Sequence, residues 1–221
     1  SNAELIAIAK ESQLANYRPA PMVLTKGSGC RVEDVEGNSF LDLSGGIAVI
    51  SVGHCHERLA ARISAQAARL MHVSNLFYND QAILLGQSIC ERTVFDRVFF
   101  ANSGTEANEA MFKLARHYHH QRGDAERIEV VSTLKSFHGR SLGSLTLTGQ
   151  PKYHVGMGPL VGGVSYVEYN DLDALRAAVN ARTAAVILEP VQAEGGIIVP
   201  DEGYLQGARE ACDQHGALLL F

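Results

Sequence analysis

Asn102-Ser103-Gly104-Thr105-Glu106-Ala107-Asn108-Glu109 is the point at which a strand pattern gives way to a helix pattern. The residues before it, 98–101, are apolar and aromatic, as in a short buried strand. After it, apolar residues recur from Ala107 to Tyr118 at the spacing of an amphipathic helix. The stretch is therefore predicted to be the turn between a strand and a helix.

Such a turn can bind an anion. A helix that begins here directs its free backbone N–H groups and the positive end of its dipole at whatever lies in front of it. Gly104 would let a phosphate approach the backbone, and Thr105 would add a hydroxyl. Ser103-x-x-Glu106 is also a capping box, which needs no ligand, and the local pattern alone favours that structural role.

Composition sets broad limits. The chain has 221 residues, 46% of them hydrophobic and 19% charged, with a net charge of −5, which is typical of a globular protein. No basic block indicates a nucleic acid or membrane surface as partner, and no apolar run is long enough to span a bilayer. Residues 1–3 resemble a remnant of tag removal and are set aside. Four scattered cysteines without a CxxC pair favour a reducing, cytoplasmic setting: Cys30, Cys55, Cys90 and Cys212.

The first half of the chain predicts a helix, an antiparallel meander and two further helices. From about residue 97, apolar strands alternate with helices, which indicates an α/β fold with a mostly parallel sheet and helices on both faces. We divide the chain into an N-terminal segment with the meander (4–56), connecting helices (57–96) and the first part of a large domain (97–221). The predicted helices are 4–16, 57–71, 80–93, 105–121, 172–180 and 204–215; the predicted strands are 22–26, 30–35, 39–43, 98–101, 128–133, 164–169, 184–188 and 217–221.

Histidines raise the question of a metal site. His54 and His56 flank Cys55, but adjacent residues rarely aim at one ion without a further spaced ligand pair, and none is evident, so we assign no metal. Three more histidines lie late in helix 105–121 and are expected to face solvent: His117, His119 and His120.

Further polar positions follow the predicted strands. Phe137 and Arg140 come after strand 128–133, and Glu189 ends strand 184–188, with Glu194 in the loop beyond it. A phenylalanine ring can stack on a flat cofactor, and an arginine can bind a carboxylate with two parallel hydrogen bonds. Each residue alone could be structural. Together they lie at the carboxyl ends of strands, where ligands of such sheets bind.

Four separated motifs carry a family resemblance: SGGIAVISVGH (44–54), NSGTEANEA (102–110), SFHGR (136–140) and AVILEPVQAEGG (185–196). The sequence closely resembles the class III (ω-amino acid) aminotransferases, which are pyridoxal-phosphate enzymes of fold type I, and within them the branch that acts on acetylornithine or succinylornithine. The resemblance runs from about residue 16 to residue 221 and reverses the preference for a mere cap. It implies a fold type I large domain, here truncated, plus the N-terminal part of a small α+β domain.

The resemblance also implies roles for individual residues. Arg140 would take the α-carboxylate of the substrate, and Glu194 would be the family's switch carboxylate. Tyr17 would line the substrate entrance, while aliphatic Ile47, where ornithine aminotransferases carry a tyrosine, suits an acylated amine. The cofactor would be bound by Ser103, Gly104 and Thr105 at its phosphate, by Phe137 and His138 at its ring, and by Glu189 nearby.

The implied activity moves the terminal amino group of N-acetylornithine or succinylornithine to 2-oxoglutarate, in arginine metabolism, by a cytoplasmic homodimer. The family's Schiff-base lysine and the acid that partners the pyridine nitrogen are expected beyond Phe221, so we assign no catalytic residue here. The chain is expected to be the N-terminal portion of the enzyme and inactive by itself. Two alternatives stay open: an ornithine, 4-aminobutyrate or other ω-amino acid aminotransferase, and a non-catalytic pyridoxal-phosphate-binding or interaction module.

Overall fold

A computed structural model describes residues 1–221, which form two compact units, Ser1–Ser88 and Ile89–Phe221. The boundary between the units falls inside the segment of connecting helices that the sequence predicted over 57–96. That segment is therefore divided between the units. The sequence-predicted start of the large domain lies a few residues after the boundary.

The unit Ser1–Ser88 contains a three-stranded antiparallel sheet of order β1-β2-β3, which confirms the predicted meander. No helix of the chain combines the length and the apolar character needed to cross a membrane. The strands are β1 (Leu24–Ser28), β2 (Arg31–Asp34) and β3 (Ser39–Leu41), and the helices are α1 (Asn2–Ser12), α2 (Gly45–Ala48), α3 (Glu57–Arg69) and α4 (Asp80–Cys90), the last of which ends just past the boundary.

Helix α1 begins within the residues that the sequence analysis set aside. The Ser1 hydroxyl accepts a hydrogen bond from the backbone N–H of Glu4, which completes a capping box. The side chain of Asn2 donates to Asp34 at 3.0 Å and accepts from the backbone N–H of Val23 at 2.7 Å. The first residues therefore belong to this unit's fold, and the predicted helix start at residue 4 was wrong.

The unit Ile89–Phe221 is an α/β layer structure, as predicted. Its four strands are all parallel and lie in the order β5-β4-β6-β7. The strands are β4 (Glu129–Thr133), β5 (Val164–Val167), β6 (Thr183–Ile187) and β7 (Leu218–Leu220), and the helices are α5 (Gly104–Gln121), α6 (Leu142–Leu147), α7 (Leu172–Ala178) and α8 (Tyr204–His215).

The core of this unit lies on both faces of the sheet, because side chains alternate along each strand. Val131 and Val186 pack with α7 and α8 on one face. Val130 and Ile187 pack with α5 and α6 on the other. Burial of an aliphatic side chain of this size contributes about 1.5–3 kcal/mol, so the two strands at the centre hold three layers together.

The predicted strand 98–101 does not form. These residues have no regular secondary structure, and the side chains of Phe99 and Phe100 are 75% and 46% exposed. A strand is stabilised by hydrogen bonds to a neighbour, and no strand of the sheet pairs with this segment. Residues 98–101 are apolar, as the prediction required, but an apolar pattern alone does not provide a neighbouring strand to pair with.

The prediction that His119 faces solvent was also wrong. His119 is 5% exposed, and its Nε2 lies 3.0 Å from the carbonyl oxygen of Ala184 in β6. It shares the buried face of α5 with Phe112 and Ala115, at the spacing of one helical stripe. His117 and His120 are exposed.

Candidate functional site

The first turn of α5 presents free backbone N–H groups. Ser103 is the N-cap, and its hydroxyl accepts from the backbone N–H of Glu106 at 3.3 Å, so the structural cap exists. The amides of Gly104 and Thr105 have no acceptor within residues 1–221. A Cβ added to Gly104 would meet no protein atom within 4 Å. Packing therefore does not require a glycine there, and the open space in front of the helix can admit an anion.

The hydroxyl of Thr105 binds the loop that follows β4. It accepts from the backbone N–H groups of Arg140 and Ser141, both at 3.2 Å, and lies 2.8 Å from the Ser141 hydroxyl. Gly139 has φ 131°, and a Cβ on it would overlap the Thr105 side chain. The hydroxyl thus positions the Arg140 loop, which leaves the backbone amide of Thr105 as its free anion donor.

Glu109, which the sequence analysis did not single out, stabilises the same loop. One of its carboxylate oxygens accepts from the Ser141 hydroxyl at 2.7 Å and from the backbone N–H of Gly143 at 2.8 Å. A carboxylate at the start of α6 satisfies free N–H groups and complements the helix dipole. The sequence did offer one signal for this role: Glu109 lies four residues after Thr105 and therefore on the same face of the helix.

Asn108 joins α5 to the residues beyond β4, and it too was missed. Its amide nitrogen donates to the carbonyl oxygens of Gly104 at 3.0 Å and His138 at 2.9 Å. The turn that carries the free amides and the loop that carries Phe137 are therefore joined by side-chain hydrogen bonds. The structure brings these predicted positions together.

His138 is a buried, neutral imidazole. The residue is 5% exposed, and its backbone N–H donates to the Thr148 hydroxyl at 2.9 Å. Burial lowers the pKa of its side chain to about 4, because the charged form would lose its hydration. Its Nε2 has no hydrogen-bond partner in the chain. Such an atom in a site is a place for a ligand or water to bind.

Glu189 and Phe137 lie side by side. A carboxylate oxygen of Glu189 accepts from the backbone N–H of Phe137 at 3.1 Å. Burial raises the pKa of Glu189, although the N–H groups of Phe137 and Ala193 partly oppose this shift. The Phe137 ring is half-buried and meets the ring of Tyr153 edge-on, with centroids 6.4 Å apart.

Arg140, Tyr153 and Glu194 form one cluster. The guanidinium carbon of Arg140 lies 4.1 Å from the centroid of the Tyr153 ring and 5.8 Å from that of Phe137. The Tyr153 hydroxyl donates to one carboxylate oxygen of Glu194 at 2.5 Å, and the side-chain amide of Gln150 donates to the other. Neither Tyr153 nor Gln150 was found from the sequence.

The charge of Glu194 is stabilised where it lies. Burial alone would raise its pKa, but the hydrogen bonds from Tyr153 and Gln150, together with the positive charges of Lys152 and Arg140, lower it overall. The nearby Glu189 is shifted in the opposite direction. The two predicted carboxylates therefore differ in proton affinity because their surroundings differ.

Gln192 is a further buried group that sequence reasoning missed. Its amide nitrogen donates to the Thr133 hydroxyl at 3.1 Å and to the carbonyl oxygen of Leu134 at 2.9 Å. These bonds attach the loop after β6 to the end of β4, so Glu194 lies beside the loop after β4. The side-chain oxygen of Gln192 has no hydrogen-bond partner in the chain.

Ile47 and Tyr17 belong to the other unit, Ser1–Ser88, and are described within it. Tyr17 is 71% exposed and Ile47 is 93% exposed. All four residues of α2 have positive φ, including Ile47 at 59°, a region that a β-branched residue rarely adopts. The turn thus displays an aliphatic side chain to solvent at a cost in backbone strain.

Asp42 and His54 hold this turn. One oxygen of Asp42 accepts from the backbone N–H groups of Ser44 and Gly45, both at 2.9 Å. The other lies 2.7 Å from His54 Nε2, and this hydrogen bond, with those from Ser44 and Gly45, holds the pKa of Asp42 well below its usual range. No group of three or more histidine, cysteine or acidic side chains in residues 1–221 is arranged to hold a metal ion.

Comparisons with known proteins match nearly the whole chain. The family model described as Aminotransferase class-III matches residues 13–221. The acetylornithine aminotransferase of Pseudomonas putida is 48% identical over 206 residues, which are 93% of this chain and 51% of that protein.

Solved structures show the same fold. The ornithine aminotransferase of Toxoplasma gondii ME49 superposes with a TM-score of 0.94 at 32% identity, over 99% of this chain and 52% of that one. The N-acetylornithine aminotransferase of Stenotrophomonas maltophilia K279a gives 0.80 at 35% identity, over 97% and 52%.

The chain spans about half the length of the curated relatives it matches. The matched region contains the first turn of α5, the loop after β4 and the loop after β6, which together form the site described above. The family model covers nearly the whole of the chain, and the parallel sheet is shared with solved members at high TM-scores. The chain belongs to the class-III aminotransferases, with the fold type I architecture of that family.

Proposed function

We propose that this chain is the N-terminal portion of a pyridoxal-phosphate-dependent aminotransferase that moves the terminal amino group of an acylated ornithine to 2-oxoglutarate. The observation that carries the proposal is the first turn of α5. Two backbone amides without acceptors lie beside open space at Gly104, and hydrogen bonds of Thr105 and Asn108 join this turn to the loop that carries Phe137 and Arg140. The names of the curated relatives support acetylornithine or succinylornithine as the donor.

The residues of the chain fit this cofactor. The amides of Gly104 and Thr105, with the Ser103 hydroxyl, would hold its phosphate at the positive end of the α5 dipole. Phe137 would lie against its flat ring, and neutral His138 offers an unpaired nitrogen. When bound, the cofactor supplies an electron sink for the charge that develops on the substrate carbon.

The substrate groups follow from the charges of the site. Arg140 makes no hydrogen bond through its guanidinium and no ion pair within residues 1–221, so it is free to bind the α-carboxylate with two parallel hydrogen bonds. Glu194 would be the family's switch carboxylate, which pairs with an arginine later in the sequence when that arginine does not hold 2-oxoglutarate. Ile47 would contact the acyl end of the donor, and Tyr17 would line its entrance.

As part of the same proposal, the enzyme acts as a homodimer in the cytoplasm. The unit Ser1–Ser88 supports this with a run of exposed apolar side chains, which is more typical of an interface than of free surface. Sedimentation of the protein expressed from the complete reading frame would give twice the mass of one polypeptide for a dimer and the mass of one polypeptide for a monomer. The exposed run comprises Met71, Leu76, Phe77 and Tyr78, each more than 70% exposed.

Cofactor binding can be tested on the 221-residue chain. Pyridoxamine phosphate is the suitable probe because it forms no imine with lysine. Gly104→Asp should weaken its binding at least tenfold, because the new carboxylate would occupy the anion site. The variant should still fold, because an acidic residue stabilises the N-terminus of a helix. Gly104→Asn has nearly the same volume without the charge and serves as the matched control. Equal effects of the two variants, or no binding by the wild type, would contradict the assignment of the phosphate site.

The reaction can be tested on the protein expressed from the complete reading frame. We expect kcat/KM to be highest for N-acetylornithine or succinylornithine. A higher value for ornithine or 4-aminobutyrate would favour the other ω-amino acid aminotransferases. This alternative is kept because the solved ornithine aminotransferase has a higher TM-score than the solved N-acetylornithine aminotransferase. Binding of pyridoxamine phosphate without any transamination would favour a non-catalytic module instead.

A further inference from the structure

Tyr153 contacts both charged groups of the proposed substrate site. Its ring lies under the Arg140 guanidinium at 4.1 Å, and its hydroxyl donates to Glu194 at 2.5 Å. Lys152 also lies 4.6 Å from the ring centroid. One side chain thus touches a cation through its face and an anion through its edge.

The two contacts reinforce each other. A guanidinium is attracted to the negative face of an aromatic ring. A phenol that donates to a carboxylate gains electron density, and hydrogen-bonded groups polarise one another in this way. Tyr153 therefore favours the simultaneous presence of both charges at fixed positions.

Both oxygens of Glu194 are already occupied. Tyr153 binds one oxygen, and the amide of Gln150 binds the other. Gln150 is itself buried and held to the carbonyl oxygen of Ser136 at 3.1 Å. No ion pair within 4.0 Å joins Glu194 to Arg140, although they attract one another across the cluster.

We propose that Tyr153 is a positioning residue that holds Glu194 away from Arg140, so that the guanidinium stays open to the carboxylate of an incoming amino-acid donor. The proposal rests on the proposed function, in which Arg140 binds that carboxylate. Without the phenol hydroxyl, Glu194 loses one of its two restraints and can pair with Arg140. The substrate then has to displace an internal carboxylate before it binds.

The chain offers a matched control at Tyr118. The Arg122 guanidinium lies 4.3 Å from the Tyr118 ring centroid, much as Arg140 lies over Tyr153. Tyr118 is on α5, is 37% exposed and makes no hydrogen bond to a carboxylate. Tyr118→Phe removes a hydroxyl from an arginine-stacked tyrosine outside the site.

The first readout needs no turnover. In the 221-residue chain, the exchange of the Arg140 side-chain N–H with water can be followed by NMR, with Arg140→Lys to assign the signal. Tyr153→Phe should slow this exchange several-fold, because Glu194 then covers the guanidinium, whereas Tyr118→Phe should leave it unchanged. Unchanged exchange in Tyr153→Phe would overturn the proposal.

The second readout uses a pair of donors and the protein from the complete reading frame. N-Acetylornithine and N-acetylputrescine share the acyl group and the reacting amine, but only the first has an α-carboxylate. Tyr153→Phe should raise the KM for N-acetylornithine about tenfold, a loss of about 1.4 kcal/mol, with kcat within about twofold. The KM for N-acetylputrescine should not change.

A double variant separates positioning from general damage. In a Glu194→Gln background the competing charge is gone, so adding Tyr153→Phe should no longer raise the KM. A tenfold effect that persists there, or an equal rise for both donors, would overturn the role assigned to Tyr153. A wild-type protein that transaminates neither donor would instead overturn the proposed function, while the exchange measurement would still report on Tyr153.

Discussion

His138→Gln should remove a large part of the acid sensitivity of this protein. The imidazole is 5% exposed, its Nε2 has no partner, and burial lowers its pKa from 6.5 to about 4. Glutamine keeps a polar group of similar length but does not titrate. The comparison of wild type and variant therefore isolates one proton-binding event.

The sign and size follow from linkage between proton binding and folding. Above about pH 6.5 the imidazole is neutral in both the folded and the unfolded state, so the proton contributes nothing. As the pH falls toward about 4, the unfolded chain binds a proton that the folded chain does not, and the folded state loses stability. At 1.36 kcal/mol per pKa unit, the wild type loses about 3 kcal/mol through His138 over this range.

The assay is urea unfolding followed by far-ultraviolet circular dichroism at several pH values between about 7 and about 4, a range set by the two pKa values. The free energy of unfolding of the wild type should fall by about 3 kcal/mol more than that of His138→Gln. His117→Gln removes an exposed imidazole and controls for the general loss of a histidine. Parallel curves for wild type and His138→Gln would refute the reasoning, as would an NMR titration of His138 near 6.5.

Three further predictions concern the supports of the site and of the turn at Ile47. Glu109→Ala should lower the free energy of unfolding by about 2 kcal/mol in urea, because the amides at the start of α6 lose a charged acceptor; an unchanged midpoint would argue against that cap. Gly139→Ala should cost about 2 kcal/mol and weaken pyridoxamine phosphate binding, because its Cβ displaces Thr105; wild-type affinity would contradict this. Ile47→Asn should add about 1 kcal/mol of stability, since asparagine tolerates the left-handed region; a lower Tm would show that the Ile47 side chain is needed for packing.

The layered fold of the second unit could be predicted because its periodicities are local. Strand β6 is apolar from Ala184 to Ile187, and the helix predicted over 204–215 has the bounds of α8, Tyr204–His215. Parallel strands that are buried on both faces are rich in apolar residues, which a short sequence window detects. The predicted strand 98–101 failed for the opposite reason, since a strand depends on a neighbour that the local pattern does not specify.

The site shows the same division between local and long-range information. Ser103, Gly104 and Thr105 could be placed at a helix start from their own spacing, and the structure brings that turn together with Phe137. Tyr153 and Gln150 could not be found, because their roles depend on a loop more than 40 residues away in sequence. The functional roles of Tyr17 and Ile47 stay predictions.

By itself, the sequence determined the alternation of strands and helices, the carboxyl-end location of the motif residues and the family to which the chain belongs. The first two follow from residue order and local propensity, and the family follows from the resemblance of its motifs. Only the tertiary structure decided that the Thr105 hydroxyl binds the Arg140 loop, that His138 is buried without a partner for Nε2, and that Tyr153 lies between Arg140 and Glu194. Burial and hydrogen-bond partners are set by segments distant in sequence, and those in turn set the charges of the site.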